Sequence, residues 1–249
     1  QIAEPLDEVA YLDSVQLIVI DHPWDWIVYP DERFATSPPF PSQRPLFFRQ
    51  SECLTVQRAI DHRQRDVTAL LQQRDGRYVD GFARRAWLGF AEEHAIECTF
   101  APSPLFPPQR RWHLILSGWT DYAYPESILA ATQAGVPILW PVLEQRDADG
   151  SWRHVCDLGM PAGLPRVMTV PLPSPFDPAA GPLRIRTNLQ IFWDHLILAP
   201  EIAPPDRNKI PVIHTLPVQK AVLEHRGFYR EWNAGDGSPQ RYDPDQLEA

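Results

Sequence analysis

Lysine is almost missing from this chain: Lys209 and Lys220 are the only two in 249 residues. Arginine carries the positive charge, which reads as a compositional bias of the source. The 23 cationic residues face 32 acidic ones, for a net charge of -9. An acidic surface lacks the phosphate-neutralising cations that general nucleic-acid binding needs, although a local basic groove remains compatible with it. No apolar run reaches about 18 residues, so no segment reads as a transmembrane helix. The three cysteines, Cys53, Cys98 and Cys156, form no CxxC and allow at most one disulfide. They read as buried or free thiols and leave the compartment open. GxSxG, Walker, GxGxxG and HExxH motifs are all lacking, which removes the strongly marked enzyme classes. No two of the eight histidines stand at HxH or HxxxH spacing, the local arrangements that best present a metal. Neither a signal-peptide pattern nor an initiator Met precedes Gln1, which suggests a processed subunit or an excised domain.

Proline, by contrast, is abundant. Its 28 copies are about twice the usual share, against 12 glycines. Proline disfavours helix interiors and central strands, so many short segments joined by stiff loops are expected. The stretch 37–45 (SPPFPSQRP) predicts an extended loop laid across the surface. Hydrophobic residues at 44% and charged residues at 22% belong to a globular chain. Short apolar and β-branched runs predict strands within 11–20, 27–29, 94–100, 112–116, 136–144, 151–156, 167–172, 183–187, 189–198, 212–216 and 221–223. Asp147-Ala148-Asp149-Gly150 reads as a hairpin turn. Helices are predicted over 66–73, where Asp66 can cap, and over 82–90. The sum is a mainly β chain, an antiparallel β-sandwich of jelly-roll or galactose-binding-like type, with one or two short helices and long Pro-rich loops. Residues 1–235 read as one domain, within which 1–90 can pack as a separate lobe; 236–249 read as a loose tail.

Three features carry candidate chemistry. Asp147 and Asp149, two residues apart, can open a Ca2+ loop, but the third ligand and closing Glu of an EF-hand are missing and the turn explains both. The segment Gly118-Trp119-Thr120-Asp121-Tyr122-Ala123-Tyr124-Pro125 leaves a buried strand and enters a loop. Rings and a carboxylate there suit sugar stacking and hydroxyl binding; the competing reading packs the indoles into the edge of the core. Arg184 and Arg186 alternate with apolar residues and so share one face. With Trp193 and Asp194 they extend the candidate rim of Trp119, Asp121, Tyr122 and Tyr124; the competing reading pairs both arginines with surface carboxylates.

Several stretches look like parts of one known family. They include Ser117-Gly118-Trp119, Pro141-Val142-Leu143-Glu144 and Asp147 to Trp152. Leu158-Gly159-Met160-Pro161-Ala162-Gly163-Leu164-Pro165 and Leu183 to Asp194 belong with them. So do Asp21-His22-Pro23, Tyr29 to Phe34 and Leu223 to Phe228. Together they resemble the C-terminal β-rich region that follows FG-GAP/VCBS propeller repeats and the ASPIC/UnbV segment in large bacterial proteins, some with TPR repeats. The resemblance implies export to a periplasmic or cell-surface setting and a binding or scaffolding role. It brings no established chemistry, and the propeller and TPR parts are missing here.

The leading expectation is a non-enzymatic module that binds other protein subunits or neighbouring domains of a parent chain, with no predicted cofactor. Stiff loops suit this, because a preordered loop loses less entropy on docking. The second is a carbohydrate-binding module using the Trp/Tyr/Asp rim. The third is an unmarked metal-dependent hydrolase in which a cleft gathers Asp121, His154 and Asp194. No nucleic-acid partner and no transmembrane span are expected.

Overall fold

The computed structural model describes residues 14–101, 110–161, 163–202, 212–220, 227–232, 238–239 and 241–247. The chain is mainly β, and its sheets are antiparallel. The strands are β1 (Leu17–Asp21), β2 (Trp26–Pro30), β3 (Pro45–Arg49) and β4 (Leu54–Asp61), followed by the one-turn helix α1 (Thr68–Leu71). Next come β5 (Phe90–Phe100), β6 (Trp112–Thr120), the helix α2 (Pro125–Gln133), β7 (Val142–Arg146), β8 (Trp152–Asp157) and β9 (Arg166–Pro171). β10 (Leu183–Leu189), β11 (Ile191–Pro200), β12 (Val212–Leu216), β13 (Tyr229–Trp232) and β14 (Arg241–Leu247) complete the order. Two compact units emerge: Asp25–Ala203, and the terminal segments Gln1–Trp24 with Pro204–Ala249.

The larger unit is built on one eight-stranded sheet in the order β8-β7-β10-β5-β4-β11-β6-β9. β4 joins its two halves. Leu54 and Thr55 pair with β11, whereas Val56 to Asp61 pair with β5. The sheet therefore turns over along β4 and closes on itself in a sandwich-like way. One core collects Val56, Ile96, Cys98, Leu143 and Ile185 from one half and Leu114, Leu116, Met168, Leu196 and Leu198 from the other.

β6 is buried at all nine positions, which explains its unbroken apolar run. Its inner face joins that core. Ile115 on the outer face packs with Leu46 and Phe48 of β3, and Trp119 with Phe192 and Phe82. The separate β2–β3 hairpin thus covers part of a face that a simple sandwich leaves to water.

The hairpin predicted at 147–150 forms, joining β7 to β8. The helix predicted over 82–90 does not. This stretch folds back in a tight turn, its Arg84 bridged to Ala91 and the Arg85 amide donating to the Phe90 carbonyl. It spends its apolar residues on β11 and β5, with Phe82 against Phe192 and Trp87 edge-on to Phe90. α2 was not visible in the composition of 125–133, yet it has Pro125 in its first turn and Gly135 at φ +80° just past its end. The strand expected at 221–223 lies outside the described residues, and Arg241–Leu247 of the expected tail forms β14.

In the terminal unit, β1 and β12 form a two-stranded ribbon. Leu17, Ile18, Val19, Val212, Ile213 and Leu216 are all exposed on it.

Candidate binding site at the end of β6

The candidate rim residues do not form one surface. Trp193 is 1% exposed and lies in the main core, its carbonyl accepting from the Val79 amide at 2.8 Å. Asp194 is buried, and its carboxylate accepts from the amides of Asp75 (3.1 Å) and Gly76 (3.3 Å), fixing that turn. Burial raises its pKa, and those two amides oppose the rise. Trp119 is 8% exposed. Its indole stacks on Phe192 at 4.2 Å and 7°, with Tyr78 edge-on at 6.3 Å. Neither tryptophan offers a ligand an open ring face, and the reading that packs the indoles into the core holds for both.

Arg184 and Arg186 share the outer face of β10, as alternation requires, and both are engaged there. Arg184 Nε donates to Glu144 at 2.7 Å and its guanidinium lies 4.2 Å from the Trp152 ring centroid. Arg186 reaches Glu144 at 3.4 Å and Glu93 at 2.9 Å. Burial works against the Glu144 carboxylate, but the two arginines hold its pKa below the usual range.

Asp121, Tyr122 and Tyr124 remain together where β6 runs out into its loop. Backbone geometry fixes this loop from three sides. The Asp121 amide donates to the Gln190 carbonyl (3.1 Å), the Gln190 amide to Gly89 (2.9 Å) and the Thr120 amide to Gly163 (3.0 Å). Gly89 sits at φ +79°, and a Cβ there collides with the backbone of Tyr122 and Ala123. Gly163 at φ +70° lets the Tyr122 ring close to within 3.1 Å of where its Cβ would be.

The polar groups of this rigid end are unspent. Among the described residues, no hydrogen bond or ion pair engages the Asp121 carboxylate, and burial raises its pKa against the opposing charge of Arg84. Arg84 is exposed, its guanidinium 5.8 Å from the Phe192 ring centroid. Gln190 stands across from Asp121, by the register that pairs Ile191 with Thr120. Its Nε2 donates to the Phe90 carbonyl (2.9 Å), but its Oε1 is buried without a partner. Trp119 Nε1 and Thr120 Oγ1 are buried without partners as well. Buried polar atoms of this kind ordinarily find a partner in an ordered water or a bound group. The sequence marked Asp121, Tyr122 and Tyr124 but not Arg84 or Gln190. Arg84 was hidden by the helical reading of 82–90, and Gln190 by its place in a strand-like run.

The remaining candidates resolve differently. Asp149 accepts from the amide and hydroxyl of Ser151, and Asp147 pairs with Arg153 at 3.2 Å. Both serve the β7–β8 turn. Among the described residues, no three His, Cys, Asp or Glu side chains group to hold a metal. His154 pairs with Asp157 at 3.1 Å, so Asp121, His154 and Asp194 each have separate surroundings. A cavity of about 200 Å³ lies beside that pair, lined by Arg33, Ser37, Cys156 and Asp157 among others. Asp157 is the hub there, accepting from Ser37 Oγ at 2.8 Å. The Ser37 hydroxyl bonds the carboxylate, with His154 on that carboxylate's other oxygen, whereas a hydrolase triad runs serine–histidine–aspartate. All three cysteines are free, and burial pushes Cys53 up to about 11 and Cys98 and Cys156 up to about 12. Thiols in such surroundings are poor nucleophiles. Among the described residues, no helix is long and apolar enough to cross a membrane.

No protein-family model, curated protein or solved structure matches this chain.

Proposed function

We propose that this chain is a non-enzymatic binding and scaffolding module that works as a subunit or domain of an exported bacterial assembly. The observation that carries the reading is the end of β6, where the unpaired Asp121 carboxylate stands on a glycine-clamped loop, and the exposed Arg84 guanidinium lies over Phe192 from the segment before β5. A rigid element bearing unspent polar groups is pre-organised for recognition, because little ordering entropy is lost when a ligand docks. The apolar ribbon of β1 and β12 supports contact with neighbouring protein, since an isolated two-stranded sheet is only marginally stable in water. The sequence resemblance to the region following ASPIC/UnbV segments supports export. A sheet folded around one core along β4 supports the jelly-roll or galactose-binding-like reading of the fold.

Native mass spectrometry of the protein isolated from its source tests this. A species heavier than 28.5 kDa is expected, and Asp121→Ala is expected to lose the added mass. A bare 28.5 kDa species from the wild-type chain would overturn the reading.

A further inference from the structure

We infer that the cavity in the gap between β8 and β9 binds a small zwitterion, a free α-amino acid with a short aliphatic side chain, its carboxylate on Arg33 and its ammonium on Asp157. The inference goes beyond the binding reading above and uses none of the residues at the end of β6.

The cavity has a place in the topology. β8 and β9 are the two end strands of the eight-stranded sheet and do not pair with each other. The segment 33–39 spans the gap between them. Phe34 exchanges two backbone hydrogen bonds of 3.0 Å with Met160. Arg33 Nη1 donates to the Thr169 carbonyl of β9 at 3.2 Å, and Ser37 Oγ donates to Asp157 of β8 at 2.8 Å. Gly159 permits the close approach: it sits at φ +71°, and a Cβ there would lie 2.4 Å from the Phe34 carbonyl oxygen. The segment leaves about 200 Å³ unfilled. A cavity of about 150 Å³ admits benzene, so this volume suits a ligand of roughly eight non-hydrogen atoms.

The lining then selects the ligand. Arg33 is a fixed cation in the wall, its side chain 3% exposed. The Thr169 and Pro39 carbonyls occupy only part of its fork of N–H donors. Its acidic neighbour, Asp31, stays at 3.7 Å, and one Asp31 oxygen is held instead by the amide and hydroxyl of Ser42, both at 2.7 Å. The remaining donors match a carboxylate, which the planar guanidinium binds in a bidentate way. Asp157 is the carboxylate of the same wall. Ser37 and His154 each hold one of its oxygens, and each oxygen keeps a lone pair for an ammonium. Arg33 and Asp157 line one cavity yet form no ion pair with each other, so a ligand can join them. A simple anion drawn to Arg33 meets the charge of Asp157, and a simple cation drawn to Asp157 meets Arg33. A zwitterion satisfies both and adds no net charge. Pro38, Pro39, Val170 and Pro171 supply the apolar part of the lining, which suits an aliphatic side chain.

The test is calorimetric titration of the full chain with L-valine, which has the required size, followed by amide NMR. N-acetylvaline, which lacks the ammonium, and valine amide, which lacks the carboxylate, are the controls. L-valine is expected to bind saturably and to shift the amides of Ser37 and Asp157, and each control is expected to bind at least about tenfold more weakly. Asp157→Asn, at a half-exposed position, should weaken L-valine by roughly tenfold and leave the weak binding of N-acetylvaline unchanged. A structural role for Asp157 would change both ligands alike. Arg33→Gln should weaken L-valine and N-acetylvaline together. Asp157→Asn decides the matter alone if Arg33→Gln fails to fold. No saturable binding of L-valine overturns the inference. So does a control that binds as tightly as L-valine, or affinity for L-valine unchanged in Asp157→Asn.

Discussion

His94 shows how one buried side chain sets a pH limit on this fold. It lies in β5, stacked on Phe82 at 4.4 Å, with Nδ1 2.9 Å from the Glu92 carbonyl. Burial pushes its pKa down to about 4, and the neighbouring Glu92 backbone opposes the shift. The folded state therefore keeps the imidazole neutral, while the unfolded chain takes up a proton near pH 6.5. Stability is full above that value, falls as pH drops toward about 4, and levels off below it. The loss across this window is roughly 3 kcal/mol. Urea unfolding at several pH values should show it, and His94→Phe should flatten the curve in that window. A curve equally steep in the variant would assign the loss to other groups. Local chemistry of this kind is partly legible in sequence. An eight-histidine chain without ligand spacing reads as structural, but which histidine is buried depends on Phe82, twelve residues away and misread as helical.

At the scale of elements, alternation and continuous apolarity were good guides, and tertiary covering was not. β10 reads correctly because Arg184 and Arg186 are separated by core residues, and the carboxylates expected to pair with them are Glu144 and Glu93. Glu144 is buried with both arginines of the adjacent β10 on its carboxylate, so Glu144→Ala should destabilise the sheet by about 2 kcal/mol. The estimate sits below the range for fully buried pairs because both arginines can turn to water. A double-mutant cycle with Arg184→Ala measures the coupling, and additive losses would show that the pair contributes nothing. β3 and β4 were not marked, since prolines and polar residues interrupt their patterns. β3 forms because Leu46 and Phe48 find the outer face of β6 and β11, and β4 because Leu54, Val56 and Ala59 enter the main core between β5 and β11, partners far along the chain. α2 was missed for a related reason: one residue of its nine, Ala131, is buried, so no apolar stripe announces it.

For the whole molecule, the mainly β, antiparallel character and the folded-over sheet follow from strand-sized apolar runs and turn residues. The site was half legible. Asp121, Tyr122 and Tyr124 stood out as a strand-end loop, but of the two tryptophans most suggestive of a platform, Trp193 turned into the main core and Trp119 is covered on the outer face. A sheet covered on both faces buries its rings, and the covering comes from segments 45–49 and 78–92, which no local pattern ties to β6. The central claim is that the polar groups at the end of β6 serve recognition and not the fold. The most direct measurement is the unfolding free energy of the Asp121→Asn, Arg84→Ala double variant in denaturant. A residue kept for binding at the expense of stability leaves the fold as stable, or more so by up to about 1 kcal/mol, when it is neutralised. That is the expected result; a drop of more than about 1 kcal/mol would show that the pair holds the fold together and would contradict the claim.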